Sequence, residues 1–589
     1  MTKMRTEFQG EAVKVDFVAP ELLQGLHSDR RQLLSTQPSD RVCAEPKRPK
    51  VISRTLSAAT VLLALQTGCA LGPMRGYMNE PFPDPPKRLP LDFRPDVPRA
   101  TLQYRIGASV PSVFVGLSLS GGGSRAANFG AAVMEQLASL GFLDDLTAIS
   151  SVSGGSLTAA YYAINGRRSF ESLKTILSMD FFGRWLIASA NPISLVKTWT
   201  TYYTATDTMT TVFNSTLFHG ATYSELGDSG PRLLINATDA SSGRPFTFTD
   251  ETFQINLGSA LASYPIAAAV MASGAFPGVF ADVTLKSYRP EELSESVREA
   301  TLYSHLIDGG AIDNLGIRSL ILAARNAYLA SERQGNPLRG CFLFIVDAHQ
   351  EPGLNSMALK LSPRGPVDRI VDMNVLDAVD SLMSTTRDEM LRKIGLKHKT
   401  YDRWISPVWS FELFGPAVES DPETESRVLP YPLPLLMAPG GSSPFPEELK
   451  NQRFACTVWH IGFQRLRHAG SPSKTPPLAS YRFFLERLVS AIATHYKLTG
   501  PKGCSPKFLQ DALYAAARVL IREDDQALHE ACAWFSDRGL LTFDTCYQPV
   551  PPVPEELMLS SAKEYATYIP SCGSTPARLE NPDRLVLPP

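Results

Sequence analysis

The sequence has little cysteine, no excess of either charge and no long apolar run. Eight cysteines in 589 residues are too few for a disulfide scaffold, and the absence of a Cys-x-x-Cys pair argues against a zinc site. Lys and Arg total 57 against 59 Asp and Glu. A nucleic-acid-binding protein normally has a strong basic excess, so no nucleic acid partner is expected. No apolar stretch reaches about 18 residues, which excludes a polytopic membrane protein.

The N-terminal region is predicted to contain a leader and an export signal. Residues 1–50 are polar and aperiodic. Residues 51–69 combine a basic start, a short apolar stretch and a small-residue end at Gly68-Cys69, the pattern of a signal peptide. The Gly-Cys end is similar to the lipobox of bacterial lipoproteins, in which the cysteine is acylated, although Gln66 stands where that motif usually has Leu. The alternative is a buried helix with an incidental cysteine.

Proline marks the predicted boundaries of the folded region. Residues 71–98 contain eight prolines, a density that disfavours helix and predicts an extended, semi-rigid spacer. A second proline-rich stretch, 416–446, predicts a long surface loop. The domain boundaries predicted after the signal peptide are a linker over 70–100, a catalytic domain over 101–350, a helical and loop extension that completes it over 351–500, and a cysteine-containing C-terminal region over 501–589.

Strand and helix patterns alternate through the first half of the folded region. Short apolar runs predict strands at 113–120, 146–153, 232–240, 245–250 and 341–348, with helices over 126–140 and 154–164. Short buried strands separated by helices indicate an α/β fold with a mostly parallel central sheet. In such sheets ligands bind beyond the carboxyl ends of the strands, so the residues there are the first functional candidates.

A glycine-rich loop follows the first of these strands. Gly121-Gly122-Gly123 opens the next helix, where free backbone N–H groups and the helix dipole favour an anion. The segment up to Ala126 also fits a dinucleotide-binding fingerprint. That function requires an acidic residue at the end of the next strand to hold a ribose hydroxyl, and the next strand ends in Ser151-Val152-Ser153 instead.

Two further segments carry candidate catalytic residues. A nucleophilic serine on a sharp strand-to-helix turn needs very small neighbours. Around Ser153, Gly155 supplies one of them, and Ser151 replaces the glycine expected on the other side. Asp308-Gly309-Gly310 would by itself indicate only a turn. Its position behind the glycine loop and the serine makes Asp308 a candidate.

In this order the three segments resemble the patatin-like phospholipases. That family combines a G-G-G-x-R-G loop, a G-x-S-x-G turn and a D-G-G or D-G-A turn. Residues 121–125 match the loop, with Ala126 in place of the last glycine, while Ser153 matches the nucleophile and Asp308 the catalytic aspartate. A fourth segment, MASGAFPGVF at 271–280, looks like the family's A-S-x-A-x-P-x-x-F block.

The resemblance covers about residues 113–347 and implies a three-layer patatin-like α/β fold with a C-terminal extension. It implies a serine acyl hydrolase of phospholipid or lysophospholipid esters, in which Ser153 attacks the carbonyl and Asp308 accepts its proton without an intervening histidine. The oxyanion hole is predicted in the loop Gly121, Gly122, Gly123, Ser124 and Arg125, chiefly from backbone N–H groups of the second and third glycines. Arg125 either holds this loop or meets a phosphate headgroup. No metal or other cofactor is expected.

Two alternatives of different kinds remain open. A Ser-Asp-His triad would need a late histidine, and both His349 and His460 follow strand-like segments, with Asp347 available as the acid. The chain could instead be a non-catalytic envelope lipoprotein that keeps the fold as a binding module. The degenerate turn around Ser153 allows this alternative.

Residues 181–203 are rich in Phe, Trp and Tyr. We interpret them as the core of a helical insertion, with a bilayer-binding segment as the alternative. Among the cysteines, Cys341 and Cys456 lie in strand-like runs and are expected to be buried free thiols. The last four, Cys504, Cys532, Cys546 and Cys572, are expected to form one or two disulfides after export.

The predicted location is the cell envelope. A signal peptide begins close to the N-terminus, so translation is expected to start at Val42 or Val51. Cys69 would then carry lipid. The following Ala70 lacks the aspartate that favours retention in the inner membrane, which predicts an outer-membrane lipoprotein anchored through its N-terminal lipid. The competing expectation is a cytoplasmic or peripheral inner-membrane protein with an unmodified Cys69.

Overall fold

The computed structural model describes ten ranges of the chain: 76–82, 112–227, 230–288, 302–349, 374–394, 433–437, 454–466, 481–501, 503–523 and 525–549. The predicted leader, the signal peptide and Cys69 lie outside the described residues, as do Cys572 and most of the linker. The predicted domain boundaries therefore remain predictions.

The described strands form one large sheet and one two-residue ribbon. In chain order they are β1 (Glu80–Pro81), β2 (Phe114–Leu119), β3 (Leu146–Val152), β4 (Arg232–Asp239), β5 (Arg244–Phe248), β6 (Ser259–Ala260), β7 (Val283–Lys286), β8 (Tyr303–Asp308), β9 (Cys341–Asp347), β10 (Leu433–Met437) and β11 (Phe454–Gly462). The large sheet has the order β10-β11-β9-β2-β3-β4-β8-β7, with β5 also paired to β4, while β1 pairs with β6. The neighbours from β11 to β4 are parallel, and the other pairs are antiparallel.

Helices cover both faces of this sheet. The α-helices of at least four residues are α1 (Gly123–Ser139), α2 (Gly154–Asn165), α3 (Phe170–Leu177), α4 (Phe181–Ser189), α5 (Pro192–Thr200), α6 (Ala205–Phe213), α7 (Ile266–Ser273), α8 (Gly310–Asp313), α9 (Ile317–Arg333), α10 (Asn374–Lys393), α11 (Tyr481–Ser490), α12 (Pro506–Arg522), α13 (Asp525–Asp537) and α14 (Phe543–Cys546). Leu117 of β2 belongs to a core with α1 and α12. Phe114, the first residue of β2, belongs to the other core with α9.

The predicted α/β class with a mostly parallel central sheet is confirmed. The two cores lie on opposite faces of β2 because side chains alternate along a strand, so the architecture has three layers. The predicted strand at 113–120 is β2, and the predicted strand at 341–348 is β9. The predicted surface loop over 416–446 is wrong at 433–437, where β10 pairs antiparallel with β11 at the sheet edge. Pro434 is compatible with that position because an edge strand can leave one side unpaired.

Residues 76–82 belong to the folded body, so the predicted extended spacer is wrong there. The side chain of Asn79 is buried and accepts a 2.8 Å hydrogen bond from the backbone N–H of Lys286. It also donates to the Lys286 carbonyl at 2.8 Å. Phe82 N–H donates to the Gly258 carbonyl at 2.9 Å. The segment packs on the folded body because its backbone and side-chain polar groups form hydrogen bonds there.

The sheet topology places the ends of β3 and β8 next to each other. β3 ends with Val152 opposite Asn236 of β4. Antiparallel β8 ends with Asp308 opposite the next residue of β4, Ala237. β5 pairs with the same part of β4 from the other side. Two strands therefore meet end to end along one edge of β4, and the residues that follow each of them come together.

Two disulfides each join a pair of described cysteines. Cys341 and Cys456 are neighbours on the parallel strands β9 and β11, with their Cα atoms 4.4 Å apart. The prediction that they are free thiols is wrong, because the parallel register brings the two side chains together across the ladder. The prediction of a bridge among the last four cysteines is confirmed by Cys532–Cys546, which joins α13 to α14.

The C-terminal helices are part of the same core. α12 packs along α1, and Gln510 of α12 donates a 2.7 Å hydrogen bond to the side chain of Asn128 in α1. Within the described ranges, none of the helices has both the length and the apolar character that crossing a bilayer requires.

Candidate active site

Ser153 lies on a strained turn between β3 and α2. Its φ is 49° and its ψ is −122°, in the region that non-glycine residues rarely adopt. A Cβ on Gly155 would overlap the Leu119 and Ser120 carbonyl groups, and one on Gly154 would overlap the backbone of Gly123. Both positions therefore require glycine. This is the geometry of a serine presented at the top of a sheet for reaction.

Hydrogen bonds from Ser273 hold the turn in place. Its hydroxyl accepts from the backbone N–H of Ser153 at 2.8 Å and donates to the Asn236 carbonyl at 2.5 Å. Ser273 ends α7 within the predicted A-S-x-A-x-P-x-x-F block. The block also supports β8, because Asp308 N–H donates to the Ala275 carbonyl at 3.0 Å and Gly309 N–H to the Ser273 carbonyl at 3.1 Å.

Asp308 is buried beside Ser153. It is 2% exposed, and burial raises its pKa to about 6, although hydrogen bonds from the Gly310 N–H and the Ser153 hydroxyl oppose the rise. The Gly310 N–H lies 2.8 Å from Oδ1 of Asp308. A carboxylate that accepts from the serine hydroxyl and has a raised pKa is suited to accept the serine proton.

Tyr496 is the third side chain at this point. Its hydroxyl shares a hydrogen bond with Ser153 and lies 3.3 Å from the Gly274 carbonyl oxygen. Burial, together with the nearby charge of Asp308, raises the pKa of Tyr496 well above its ordinary value. The phenol therefore remains protonated at neutral pH.

The glycine loop faces Ser153 across the top of the sheet. A Cβ on Gly121 would lie 3.3 Å from the Cβ of Ser153. The N–H of Gly121 donates to the Asn314 carbonyl and that of Ser124 to the His495 carbonyl, each at 2.9 Å. These two predicted oxyanion donors are therefore already engaged. Gly122, with φ 131°, and Gly123, with φ 54°, lie at the start of α1. Among the described residues, no backbone carbonyl accepts a hydrogen bond from the amides of these two glycines.

Arg125 holds the loop from behind. The side chain is 2% exposed, and its Nη1 donates to the Ile492 carbonyl at 2.7 Å. The alternative in which this residue meets a headgroup is therefore not favoured. Ile492 and Tyr496 delimit a short wall segment, 492–496, that packs against the loop, and a Cβ on Gly123 would overlap its Thr494 carbonyl.

The histidine of the rival triad lies in a separate buried network. Nε2 of His460 is 3.0 Å from Oδ2 of Asp347, and Arg387 pairs with the same carboxylate. Burial opposes the charge on Asp347, but Arg387 and His460 hold its pKa well below the ordinary value. His349 N–H donates to Asp347 at 3.0 Å. The described hydrogen-bond partners of the Ser153 side chain are Asp308 and Tyr496.

The sequence patterns identified Ser153 and Asp308 as candidates but not the residues around them. Ser153, Asp308 and the glycine loop were candidates from their motifs, and the fold brings them together. Tyr496 was missed because it follows no motif and lies about 150 residues beyond the resemblance. Across the described ranges, no group of three or more His, Cys, Asp or Glu side chains is arranged to hold a metal ion.

Residues 117–321 match the family model described as Patatin-like phospholipase. The matched segment contains the glycine loop, Ser153 and Asp308, so the resemblance seen in the motifs is confirmed for this part of the chain. Residues 117–321 are therefore the part of the chain that matches a patatin-like phospholipase domain. Tyr496 and the wall segment lie outside the match.

Comparison with solved structures and curated sequences adds the following similarities. Human GIVD cytosolic phospholipase A2 is 14% identical with a TM-score of 0.36, and the alignment covers 73% of this chain and 63% of that chain. The same human protein in complex with methyl gamma-linolenyl fluorophosphonate is 15% identical with a TM-score of 0.35, covering 74% and 60%. VipD from Legionella pneumophila is 12% identical with a TM-score of 0.25, covering 70% and 67%. This chain thus spans less than two thirds of the human enzyme. No curated protein sequence matches it.

Proposed function

We propose that the protein is a serine acyl hydrolase that cleaves phospholipid or lysophospholipid esters with a Ser153–Asp308 dyad. The observation that carries the proposal is the hydrogen bond between a serine on a strained turn and a buried carboxyl of raised pKa. A serine hydroxyl is a weak nucleophile and needs a base within hydrogen-bond reach. The described contacts of Ser153 supply that base as a carboxylate rather than a histidine.

The reaction follows from these positions in two steps. Oγ of Ser153 attacks the ester carbonyl as its proton passes to Asp308. The tetrahedral intermediate then collapses, and the departing alcohol takes the proton from Asp308, leaving an acyl-serine. Water attacks the acyl-serine in the second step, with Asp308 again accepting a proton and returning it to Ser153 as the fatty acid leaves.

The negative oxygen of each tetrahedral intermediate is assigned to the amides of Gly122 and Gly123. They begin α1, so the positive end of the helix dipole adds to their hydrogen bonds. Arg125 and the wall segment keep the loop rigid, and rigid donors stabilise the oxyanion without a reorganisation cost. Neither step requires a metal.

Lipid release by the purified protein tests this function. The parent should release fatty acids from mixed phospholipids and lysophospholipids, and Ser153→Ala should lose at least about 10³-fold of that rate because the covalent step is removed. The lipid products identify the acyl position and headgroup. Equal release by the parent and by Ser153→Ala would refute the dyad. A double His349→Ala, His460→Ala variant that folds but loses all hydrolysis would instead favour the triad.

The proposed location is the bacterial outer membrane, with Cys69 as a lipidated N-terminus. The disulfides Cys341–Cys456 and Cys532–Cys546 support export, because disulfides persist mainly in oxidising compartments. Several acyl chains would hold the protein firmly, whereas one would hold it only marginally. Fractionation with mass spectrometry of the N-terminal peptide should find a membrane-bound protein with modified Cys69. A soluble protein with unmodified Cys69 and peptides from 5–40 would exclude the lipoprotein.

A further inference from the structure

The helices α4 and α5 expose an unusual amount of apolar surface. The five side chains that are more than half exposed are Ile187 (77%), Ile193 (65%), Val196 (51%), Trp199 (88%) and Tyr202 (74%). α5 buries none of its residues. The interpretation of 181–203 as core packing is therefore wrong for most of this segment. Contiguous apolar surface of this kind marks an interaction site.

From these residues we infer that residues 181–203, which contain α4 and α5 and are here called the apolar helix pair, form a surface that inserts into the interface of an anionic phospholipid bilayer. The inference rests on the proposed lipid-hydrolase function, and it specifies how the enzyme reaches its substrate. Three independent observations favour a bilayer as the occupant.

The first observation is the residue content of the pair. Within 181–203 the charged residues are Arg184 and Lys197, with no Asp or Glu. Trp199 and Tyr202 combine apolar rings with a polar group, as residues of the membrane–water interface commonly do. Two cations beside an apolar surface complement an anionic lipid headgroup layer.

The second observation is continuity with the active site. Trp185 of α4 packs on Phe280, with ring centroids 5.5 Å apart, and Phe280 packs on Tyr496 at 6.1 Å. Tyr496 contacts Ser153. A row of packed aromatic rings thus runs from α4 to the side chain that contacts Ser153, so the exposed helices lie on the same side of the core as the nucleophile.

The third observation is where the N-terminal chain enters the body. A Cβ on Gly76 would lie 3.2 Å from the Cβ of Tyr202, so residue 76 lies against the apolar helix pair. Gly76 is seven positions after Cys69, a distance of at most about 25 Å for extended chain. A lipid on Cys69 would therefore hold the pair close to the membrane rather than lift the enzyme away from it.

Flotation with vesicles tests the surface, using the full-length protein with Cys69→Ser as the parent so that no N-terminal lipid contributes to binding. The probes are vesicles of phosphatidylcholine alone and of phosphatidylcholine mixed with phosphatidylglycerol. Ile187→Ser/Trp199→Ser should lower the partition coefficient onto the mixed vesicles by about tenfold or more, because it removes two large apolar side chains from the interface. The matched control Thr198→Ser/Thr200→Ser keeps both hydroxyls on the same helix and should bind like the parent.

Two further measurements separate this inference from the proposed function. Hydrolysis of a water-soluble short-chain ester should be unchanged in Ile187→Ser/Trp199→Ser, and Ser153→Ala should still float with vesicles. If vesicle binding depends on the apolar helix pair but the parent hydrolyses no ester, the proposed hydrolase function is refuted and the membrane-binding surface stands. If Ile187→Ser/Trp199→Ser binds the mixed vesicles as well as the parent does, the inference that the apolar helix pair inserts into the bilayer is overturned. A parent dimer in sedimentation that this variant abolishes, with vesicle binding intact, would assign the pair to a second copy of the chain.

Discussion

At the scale of single residues, the site depends on a carboxyl group, that of Asp308, held in a buried position where its charged form is unfavourable. Asp308 lies 2% exposed beside Ser153, and burial raises its pKa to about 6. A base with a pKa near the working pH is present in its reactive form and still binds a proton well enough to take it from serine. The same burial that makes Asp308 a useful base makes its charged form unfavourable for folding.

The activity should therefore depend on pH through Asp308. The reactive form is the carboxylate, so kcat/KM of the parent should fall about tenfold for each pH unit below about 6 and level off above that. Asp308→Asn removes the base and should lower the rate by about 10² to 10⁴-fold at pH 7. An Asn variant that keeps more than about a tenth of parental activity would show that Asp308 is only a turn residue.

The stability of Asp308→Asn supplies a second readout. The pKa of Asp308 is higher in the folded protein, about 6, than its ordinary 3.8, so its favourable contribution exists below pH 4 and is lost as the pH rises through 6. Asn carries no charge at any pH. We compare the free energy of unfolding of the variant with that of the parent at each pH. The difference should shift in favour of the variant by about 2–3 kcal/mol between low pH and pH 7. A constant difference across this range would contradict the burial argument.

Tyr496 is expected to position Ser153. Replacing it with Phe removes the hydrogen bonds of the hydroxyl to Ser153 and to the Gly274 carbonyl and keeps the ring against Phe213 and Phe280. We expect kcat of Tyr496→Phe to fall about tenfold, the value of one hydrogen bond, with KM and the melting temperature nearly unchanged. A variant whose melting temperature falls while kcat stays at the parental value would limit Tyr496 to packing.

At the scale of elements, the glycine loop and the turn at Ser153 fit against each other. Gly154→Ala would force its Cβ into the backbone of Gly123 and separate the nucleophile from the oxyanion donors. We expect a loss of about 10²-fold in kcat, since a shift of about 1 Å can have that effect. Gly230→Ala is the matched control and should be neutral, because among the described residues its Cβ would meet one atom, the Gly227 carbonyl oxygen at 3.8 Å. Equal activity of both variants would contradict the close fit.

The elements that the sequence predicted are those with strong local patterns. β2 and β9 are continuous apolar runs, and every residue in them is buried. β10 was missed because Pro434 and the prolines around this strand favour loop by composition, whereas its pairing with β11 depends on a strand from another part of the chain. Tyr496 was missed for the same reason: its place beside Ser153 depends on tertiary contacts of the wall segment, which carries no local signal.

At the scale of the whole molecule, the patatin-like segment is completed by chain outside it. The wall segment contacts Arg125 and Ser124, and α12 packs along α1. Residues 76–82 pair with the body from the other end of the chain. The Cys341–Cys456 bridge joins neighbouring strands 115 residues apart in sequence, which constrains a long loop in the unfolded chain. The sequence predicted free thiols at these two positions, because the register that brings the two strands together cannot be read from the sequence.

The most direct test of the central claim is covalent labelling of the folded protein with a fluorophosphonate, followed by mass spectrometry of its peptides. Only an activated serine reacts with such a probe, so Ser153 should carry the phosphonate in the parent. Asp308→Asn should be labelled far more slowly because its base is absent. Failure of the folded parent to label at Ser153, or equal labelling of the parent and Asp308→Asn, would contradict the account of Ser153 as a nucleophile activated by Asp308.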